Sequence, residues 1–175
     1  FEVPLVLVSH DPTEILALCD ACWRLEEGRL VEHGPARRVL LAAARQAGTF
    51  ENVLRGRAAA TTDGASRVVL APGVELSVAG LHEPAGADVL IALRAEDILV
   101  STGPLPAISA RNVIPAVIAD VRIQGEDAWV EARVANDVHV TVLLTPSAIR
   151  ELSLVTGSSV CLVVKAQSCR VLARS

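Results

Sequence analysis

Two short polar segments in the second half of the chain combine residue types that can bind an anion. The first is Ser109-Ala110-Arg111-Asn112 and the second is Lys165-Ala166. Together they offer a hydroxyl, a guanidinium, an amide and an ammonium, a set that is rich in hydrogen-bond donors and poor in acceptors. Donors with net positive charge suit a small tetrahedral dianion, held by charge-assisted hydrogen bonds of about 2.7–2.9 Å. The two segments therefore predict an oxyanion site, provided that the fold brings them together.

The same residues admit other interpretations. Metal binding is a poor fit because the cluster has no carboxylate, imidazole or thiolate ligand. Nucleophilic catalysis by Ser109 is a poor fit because no histidine lies near it in the sequence. An ordinary turn stays open as the alternative, with Ser109 and Asn112 capping backbone groups while Arg111 and Lys165 are solvated. Residue types alone do not decide between this turn and the anion site.

Composition limits the classes of function further. The chain has 175 residues, a net charge of -4 and a pI near 5.6, which argues against a general nucleic-acid-binding protein. No apolar run approaches the roughly 18–20 residues that span a bilayer. The sequence contains no Met and opens on FEVPLVLVSH without the features of a signal peptide. We therefore expect a C-terminal piece of a longer protein.

The four cysteines are expected to be reduced, inert thiols. Cys19 and Cys22 have the spacing of a metal-binding pair, but no second pair of cysteines or histidines follows them. Small thiols of this kind are common in the apolar interior of proteins from reducing compartments. No metal site is predicted.

The first 48 residues predict an α/β segment. The expected elements are a buried strand over Val3 to Val8, a helix that is capped by Asp11, begins at Pro12 and has Glu14 completing a capping box, a hairpin around Glu27-Gly28, and a helix from Pro35 that Gly48 ends.

Residues 49–175 predict a β-rich region with an internal repeat. Asn52-Val53-Leu54 matches Asn112-Val113-Ile114, and Arg94-Ala95 matches Lys165-Ala166. The second copy is about eleven residues longer, and we assign the extra residues to a short helix at 145–157. Two copies with few strands each can bury a core by packing together. The predicted fold class is mainly β, an OB-like small β-barrel built from a tandem repeat and preceded by an α/β remnant.

The stretch VLVSHDPTEILALCDACWRLEEGRLVEHGP resembles the last part of an ABC transporter ATPase domain, from its switch histidine onward. The resemblance implies that His10 contacts the γ-phosphate of ATP in a full-length parent, the one catalytic role that it assigns. No GxxxxGK[ST] loop precedes His10. The residues present are therefore expected neither to bind nor to hydrolyse ATP, and ATP and Mg²⁺ would belong to the parent alone.

The stretches ISARNVIPAVIADV, TPSAIRELSL and VCLVVKAQSCRVLA are similar to the molybdate-binding Mop (molbindin) domain. This TOBE-type module also forms the tail of the ATPase subunit of molybdate ABC importers. The resemblance implies that Asn112 stabilises the turn and that the pockets lie at subunit contacts. The residues that it implies for holding the oxyanion, molybdate or tungstate, are Ser109, Ala110, Arg111, Thr145, Lys165 and Ala166.

Together the two resemblances imply a regulatory, oxyanion-binding region that senses intracellular molybdate for an ABC importer. The implied domains are the end of the ATPase domain (1–48), a first accessory β repeat (49–108) and a Mop-like domain (109–175). The implied partners are a second copy, bound through the ATPase and C-terminal domains, and a membrane permease, but no nucleic acid. The implied location is cytoplasmic, peripheral to the inner membrane. The alternative is a structural dimerisation module without a ligand, which Ala148 favours weakly because the family often has Ser there.

Overall fold

The computed structural model describes residues 4–60, 66–135 and 138–172. The chain divides into two compact units, Phe1–Gly48 and Thr49–Ser175. No helix in the described ranges is long and apolar enough to cross a membrane.

The first unit contains two helices and a hairpin: α1 (Pro12–Leu18), β1 (Ala21–Glu26), β2 (Arg29–Pro35) and α2 (Ala36–Ala47). The predicted cap of α1 is confirmed, because the Asp11 side chain accepts hydrogen bonds from the backbone N–H groups of Thr13 and Glu14 at 2.8 and 3.4 Å. The capping box differs from the prediction. The Glu14 carboxylate accepts from the Ser9 hydroxyl, which in turn accepts from the Asp11 backbone N–H.

The predicted hairpin and second helix are also present. β1 and β2 pair antiparallel around Glu27-Gly28, where both residues have a positive φ. Gly48 ends α2 with a φ of 73°, a left-handed conformation that glycine adopts without steric cost. Cys19 and Cys22 do not share a helix, since Cys19 follows α1 and Cys22 lies on β1.

The prediction of a buried strand over Val3 to Val8 is wrong for its described part. Residues 4–8 form no regular element, and Leu5 and Val8 are each 88% exposed. A buried parallel strand needs neighbouring strands that pair its backbone and layers that cover both faces. In the described part of this unit the only strands are those of the β1–β2 hairpin, which pair with each other. The apolar run is therefore left exposed.

The second unit is built almost entirely of strands, which confirms the predicted mainly β, OB-like fold class. Its elements are β3 (Glu51–Ala58), β4 (Ser66–Ala71), β5 (Val74–Val78), β6 (Asp88–Arg94), β7 (Leu99–Ser101), β8 (Asn112–Gln124), β9 (Asp127–Ala135), β10 (Val138–Leu144), α3 (Pro146–Glu151), β11 (Ser159–Val164) and β12 (Arg170–Leu172), with 3₁₀ turns at Ala95–Asp97 and Ala166–Ser168.

The strands form two equivalent sheets that exchange their last strands. One sheet has the order β12-β6-β3-β4-β5 and the other has the order β7-β11-β8-β9-β10. Strands β3 to β7 form the first half of this unit and β8 to β12 form the second half. The strands of the two halves therefore correspond one by one, as the repeat in the sequence predicts. However, β7 pairs with β11 of the second half, and β12 pairs with β6 of the first. The inner faces of both sheets share one buried apolar cluster.

Two buried asparagines at equivalent positions fasten the halves to each other. Asn112 on β8 donates from Nδ2 to the Ser77 carbonyl at 3.0 Å, and its Oδ1 accepts from the Ser77 N–H at 2.6 Å. Asn52 on β3 does the same with Thr141, at 2.9 and 2.7 Å. Each asparagine thus satisfies both backbone groups of one residue in the opposite half. The first strand of each half is tied to the third strand of the other.

The equivalence also locates the eleven extra residues of the second copy. From the asparagine to the counterpart of its tied residue is 25 positions in the first half and 29 in the second. From there to Arg94 or Lys165 is 17 and 24 positions. Seven extra residues thus surround α3, whose predicted N-cap Thr145 is confirmed. The other four lengthen β8 to β10 and were wrongly assigned to 145–157.

Candidate functional site: a donor-rich head on β8

The strand register brings the two predicted segments together. Asn112, the first residue of β8, lies opposite Val164, the last residue of β11. Ser109–Arg111 directly precede β8, and Lys165-Ala166 directly follow β11. Because the two strands are antiparallel, these segments lie side by side at one end of the pair. We name them together the second head.

The second head carries two positive charges that are not paired. The side chains of Ser109, Arg111 and Lys165 are exposed, and the two alanines are half-buried. Neither the Arg111 guanidinium nor the Lys165 ammonium has a hydrogen-bond or ion-pair partner within the described ranges. Lys165 is also the only lysine of the chain, the other fifteen basic residues being arginine. The head therefore offers a guanidinium, an ammonium and a hydroxyl to a ligand.

Asn112 is a buried residue that connects the second head to β5. It is 3% exposed, and its hydrogen bonds run to Ser77 rather than to residues of its own turn. Its Nδ2 also lies 3.6 Å from the Cys169 Sγ, and this thiol donates to the Lys165 carbonyl at 3.7 Å. A continuous chain of contacts thus joins β5, Asn112, Cys169 and Lys165. Nothing in the sequence pattern indicated Cys169 or Ser77, because their contacts depend on how distant strands align.

Burial raises the pKa of the Cys169 thiol to about 11, from an ordinary value of 9.0. The folded protein therefore favours the protonated thiol, and this stabilisation is fully present below pH 9 and lost as pH rises towards 11. The neutral S–H group remains available to donate to the Lys165 carbonyl at physiological pH.

We expect the free energy of unfolding of the wild type to fall between about pH 9 and 11 by more than that of the Cys169→Ser variant. Serine keeps a small donor but has no titration in this range. Urea unfolding at four pH values across this interval measures the difference. Parallel pH dependences in the two proteins would contradict the expectation that ionisation of the buried Cys169 thiol lowers the free energy of unfolding.

Thr145 is not brought to the second head within one chain. Its Oγ1 accepts from the Ala148 N–H at 3.3 Å and lies 2.8 Å from the Ser147 hydroxyl, so it caps α3. It follows β10, whose last residue pairs with Ala128, and Ala128 pairs with Ile123 at the far end of β8. The register thus separates Thr145 from the beginning of β8. Its strand β10 instead packs against the 3₁₀ turn Ala95–Asp97.

His10 and the four cysteines are the remaining residues that the sequence analysis singled out. His10 is exposed, directly before the N-cap Asp11, and has no hydrogen-bond partner in the described part of its unit. Among the described residues, no group of three or more His, Cys, Asp or Glu side chains could hold a metal ion. All four cysteines are free thiols.

The sequence of the second head lies within a recognised domain. Residues 108–171 match the model of the TOBE domain. The matched segment begins just before Ser109 and includes Lys165, Ala166 and Cys169, so it contains the whole second head.

The matched segment and the residues before it are similar to part of known import proteins. The chain is 29% identical over 173 residues to the molybdenum import ATP-binding protein ModC of Mesorhizobium japonicum, covering 95% of this chain and 46% of that protein. It is 29% identical over 177 residues to ModC of Vibrio cholerae, covering 96% and 48%. The chain thus spans about half the length of the curated relatives it matches.

A solved structure shares the fold of much of this chain. This is the cytoplasmic molybdate-binding protein ModG with molybdate bound, which superimposes with a TM-score of 0.62. The match covers 69% of this chain and 94% of ModG, at 24% sequence identity. At this identity the likeness establishes the fold.

Proposed function

We propose that this chain is a regulatory, molybdate-binding region of the ATP-binding subunit of a molybdenum importer, and that the second head holds the oxyanion. The observation that carries the proposal is the pair of unpartnered cations, Arg111 and Lys165, beside the Ser109 hydroxyl. The names of the ModC relatives and the fold shared with molybdate-bound ModG support it.

The chemistry of the head matches a tetrahedral dianion. One ammonium and one guanidinium neutralise two negative charges, and the hydroxyl donates to an oxygen. The backbone N–H groups of the half-buried Ala110 and Ala166 are further donors at the ends of the two strands. Tungstate is a tetrahedral dianion like molybdate, so the proposal includes it as a second ligand.

A second copy of the chain completes the pocket in this proposal. Thr145 lies away from the second head within one chain and would reach the head of a partner copy. An apolar face continues from the head, since Leu99 and Val113 flank Val163 in register and are 65% and 45% exposed. A partner copy that covers this face would bury apolar area next to the ligand.

The wider protein supplies the transport chemistry in this proposal. The ATPase domain of a full-length parent would bind ATP and Mg²⁺, with His10 at the γ-phosphate, and would pair with a membrane permease. The subunit would then act on the cytoplasmic face of the inner membrane. Sensing requires that molybdate bind one arrangement of the paired subunits more tightly than another.

The exposed apolar face also favours a second candidate function, a dimerisation module that binds no ligand. Leu99 and Val113 would mediate association whether or not an oxyanion is present. The two candidates differ in one measurable property, which is the effect of molybdate on the protein.

Isothermal titration of the chain with molybdate tests the proposal, with tungstate, sulfate and phosphate as comparison anions. We expect saturable binding of molybdate and tungstate and weaker binding of sulfate and phosphate. Sedimentation velocity before and after the titration gives the oligomeric state. A folded dimer that shows neither heat nor thermal stabilisation at millimolar molybdate would rule out the oxyanion function and leave the dimerisation module.

A further inference from the structure

The first half of the second unit contains a structural counterpart of the second head. Thr49–Glu51 directly precede Asn52 on β3, as Ser109–Arg111 precede Asn112 on β8. Arg94 is the last residue of β6 and Ala95 follows it, with Glu51 opposite Arg94 in the register. We name Thr49–Glu51 together with Arg94-Ala95 the first head.

The charge of the first head is reversed at its central position. Glu51 occupies the place that Arg111 has in the second head, by alignment on the two tied asparagines. Its carboxylate accepts hydrogen bonds from Arg170 Nη2 at 3.0 and 2.9 Å. The Glu51 side chain is only 19% exposed, so this ion pair is partly shielded from solvent.

The first head also lacks the small residue that Ala110 provides in the second head. Phe50 stands in the place of Ala110 and is 5% exposed. A phenylalanine side chain is far larger than the methyl group of alanine. An oxyanion at the first head would meet the Glu51 carboxylate, and it would have to displace Glu51 from Arg170.

We propose that Glu51 is a specificity-determining residue that closes the first head to oxyanions, so that each chain binds a single dianion. The inference rests on the proposed oxyanion function of the second head. Arg170 belongs to β12, the strand that the second half contributes to the first sheet. The ion pair of the Glu51 carboxylate with Arg170 thus joins the two halves. The same negative charge repels an oxyanion from solution and excludes it from the first head.

The number of oxyanions bound per chain tests this inference. Equilibrium dialysis against saturating molybdate, followed by elemental analysis, gives the ratio of molybdenum to protein. We expect one molybdate per chain for the wild type and a clearly lower ratio for the Lys165→Ala variant at the same molybdate concentration. A ratio of zero for the wild type would contradict the proposed function itself. A ratio of two would contradict the closure of the first head while leaving the oxyanion function intact.

A gain of binding provides the stronger test. The triple variant Thr49→Ser, Phe50→Ala, Glu51→Arg changes residues 49–52 to the sequence SARN. Thr145 follows β10, the strand that packs against this head. We expect the ratio to rise from one to two. In the same background, Lys165→Ala should bring it back to one, because the rebuilt head remains.

The loss of the buried Phe50 ring can destabilise the triple variant, so the single variant Glu51→Arg is measured beside it. This change places a guanidinium opposite Arg94 and beside Arg170 and keeps Phe50, and we expect molybdate binding above one per chain. Thermal unfolding establishes that each variant is folded. A ratio that stays at one in the folded Glu51→Arg and triple variants would overturn the assignment of closure to these residues.

Discussion

Replacing Lys165 by alanine is expected to weaken molybdate binding by roughly 10- to 150-fold. A hydrogen bond to a charged group contributes about 1.5–3 kcal/mol, and each 1.4 kcal/mol corresponds to about a factor of ten in affinity. Lys165 is the only lysine of the chain and has no competing partner among the described residues, so its ammonium is free for the ligand. Isothermal titration of both proteins measures the ratio of dissociation constants.

The matched control is Arg94→Ala, which removes one positive charge from the equivalent position of the first head. We expect its affinity for molybdate to stay within about two-fold of the wild type, because net charge alone is not what binds the anion. The variant Lys165→Arg should retain part of the affinity, since a planar guanidinium replaces a compact ammonium. Equal losses in Lys165→Ala and Arg94→Ala would mean that the second head is not a localised site.

The replacement Asn112→Ala is expected to lower the free energy of unfolding of the second unit by about 2–5 kcal/mol. It leaves the N–H and the carbonyl of Ser77 without their partner, and each unsatisfied buried group costs about 1–3 kcal/mol. Asn52→Ala should have an effect of similar size, because Asn52 makes the equivalent pair of bonds with Thr141. Urea unfolding followed by circular dichroism measures both losses.

The control for this experiment is Ser109→Ala, an exposed neighbour of Asn112 in the same turn. Surface substitutions of this kind change the stability by no more than about 0.5 kcal/mol. We therefore expect Ser109→Ala to affect molybdate affinity and Asn112→Ala to affect stability. If the two variants unfolded at the same urea concentration, the asparagine ties would not be what holds the halves together.

The local features of the fold could be predicted from the sequence because they depend on neighbouring residues. Asp11 before Pro12 and Thr145 before Pro146 cap their helices as predicted. The match between Asn52 and Asn112 correctly indicated two equivalent halves. The strand prediction over Val3 to Val8 was wrong for its described part, because an apolar run specifies a strand only when other strands are present to pair with it.

The arrangement of the site depended on contacts that no local pattern records. The donor inventory of Ser109–Arg111 and Lys165 was sufficient to predict a head, and the β8–β11 register brings it together. The separation of Thr145 and the support from Cys169 follow from the alignment of distant strands. The reversed charge at Glu51 could have been found in the sequence by extending the repeat one residue ahead of Asn52.

The exchange of β7 and β12 makes the two halves of the second unit depend on each other for complete sheets. Each half encodes the edge strand of the other half's sheet, so deleting either copy removes a strand from the one that stays. A chain cut between Ser101 and Asn112 would yield two fragments that are each incomplete and mutually complementary.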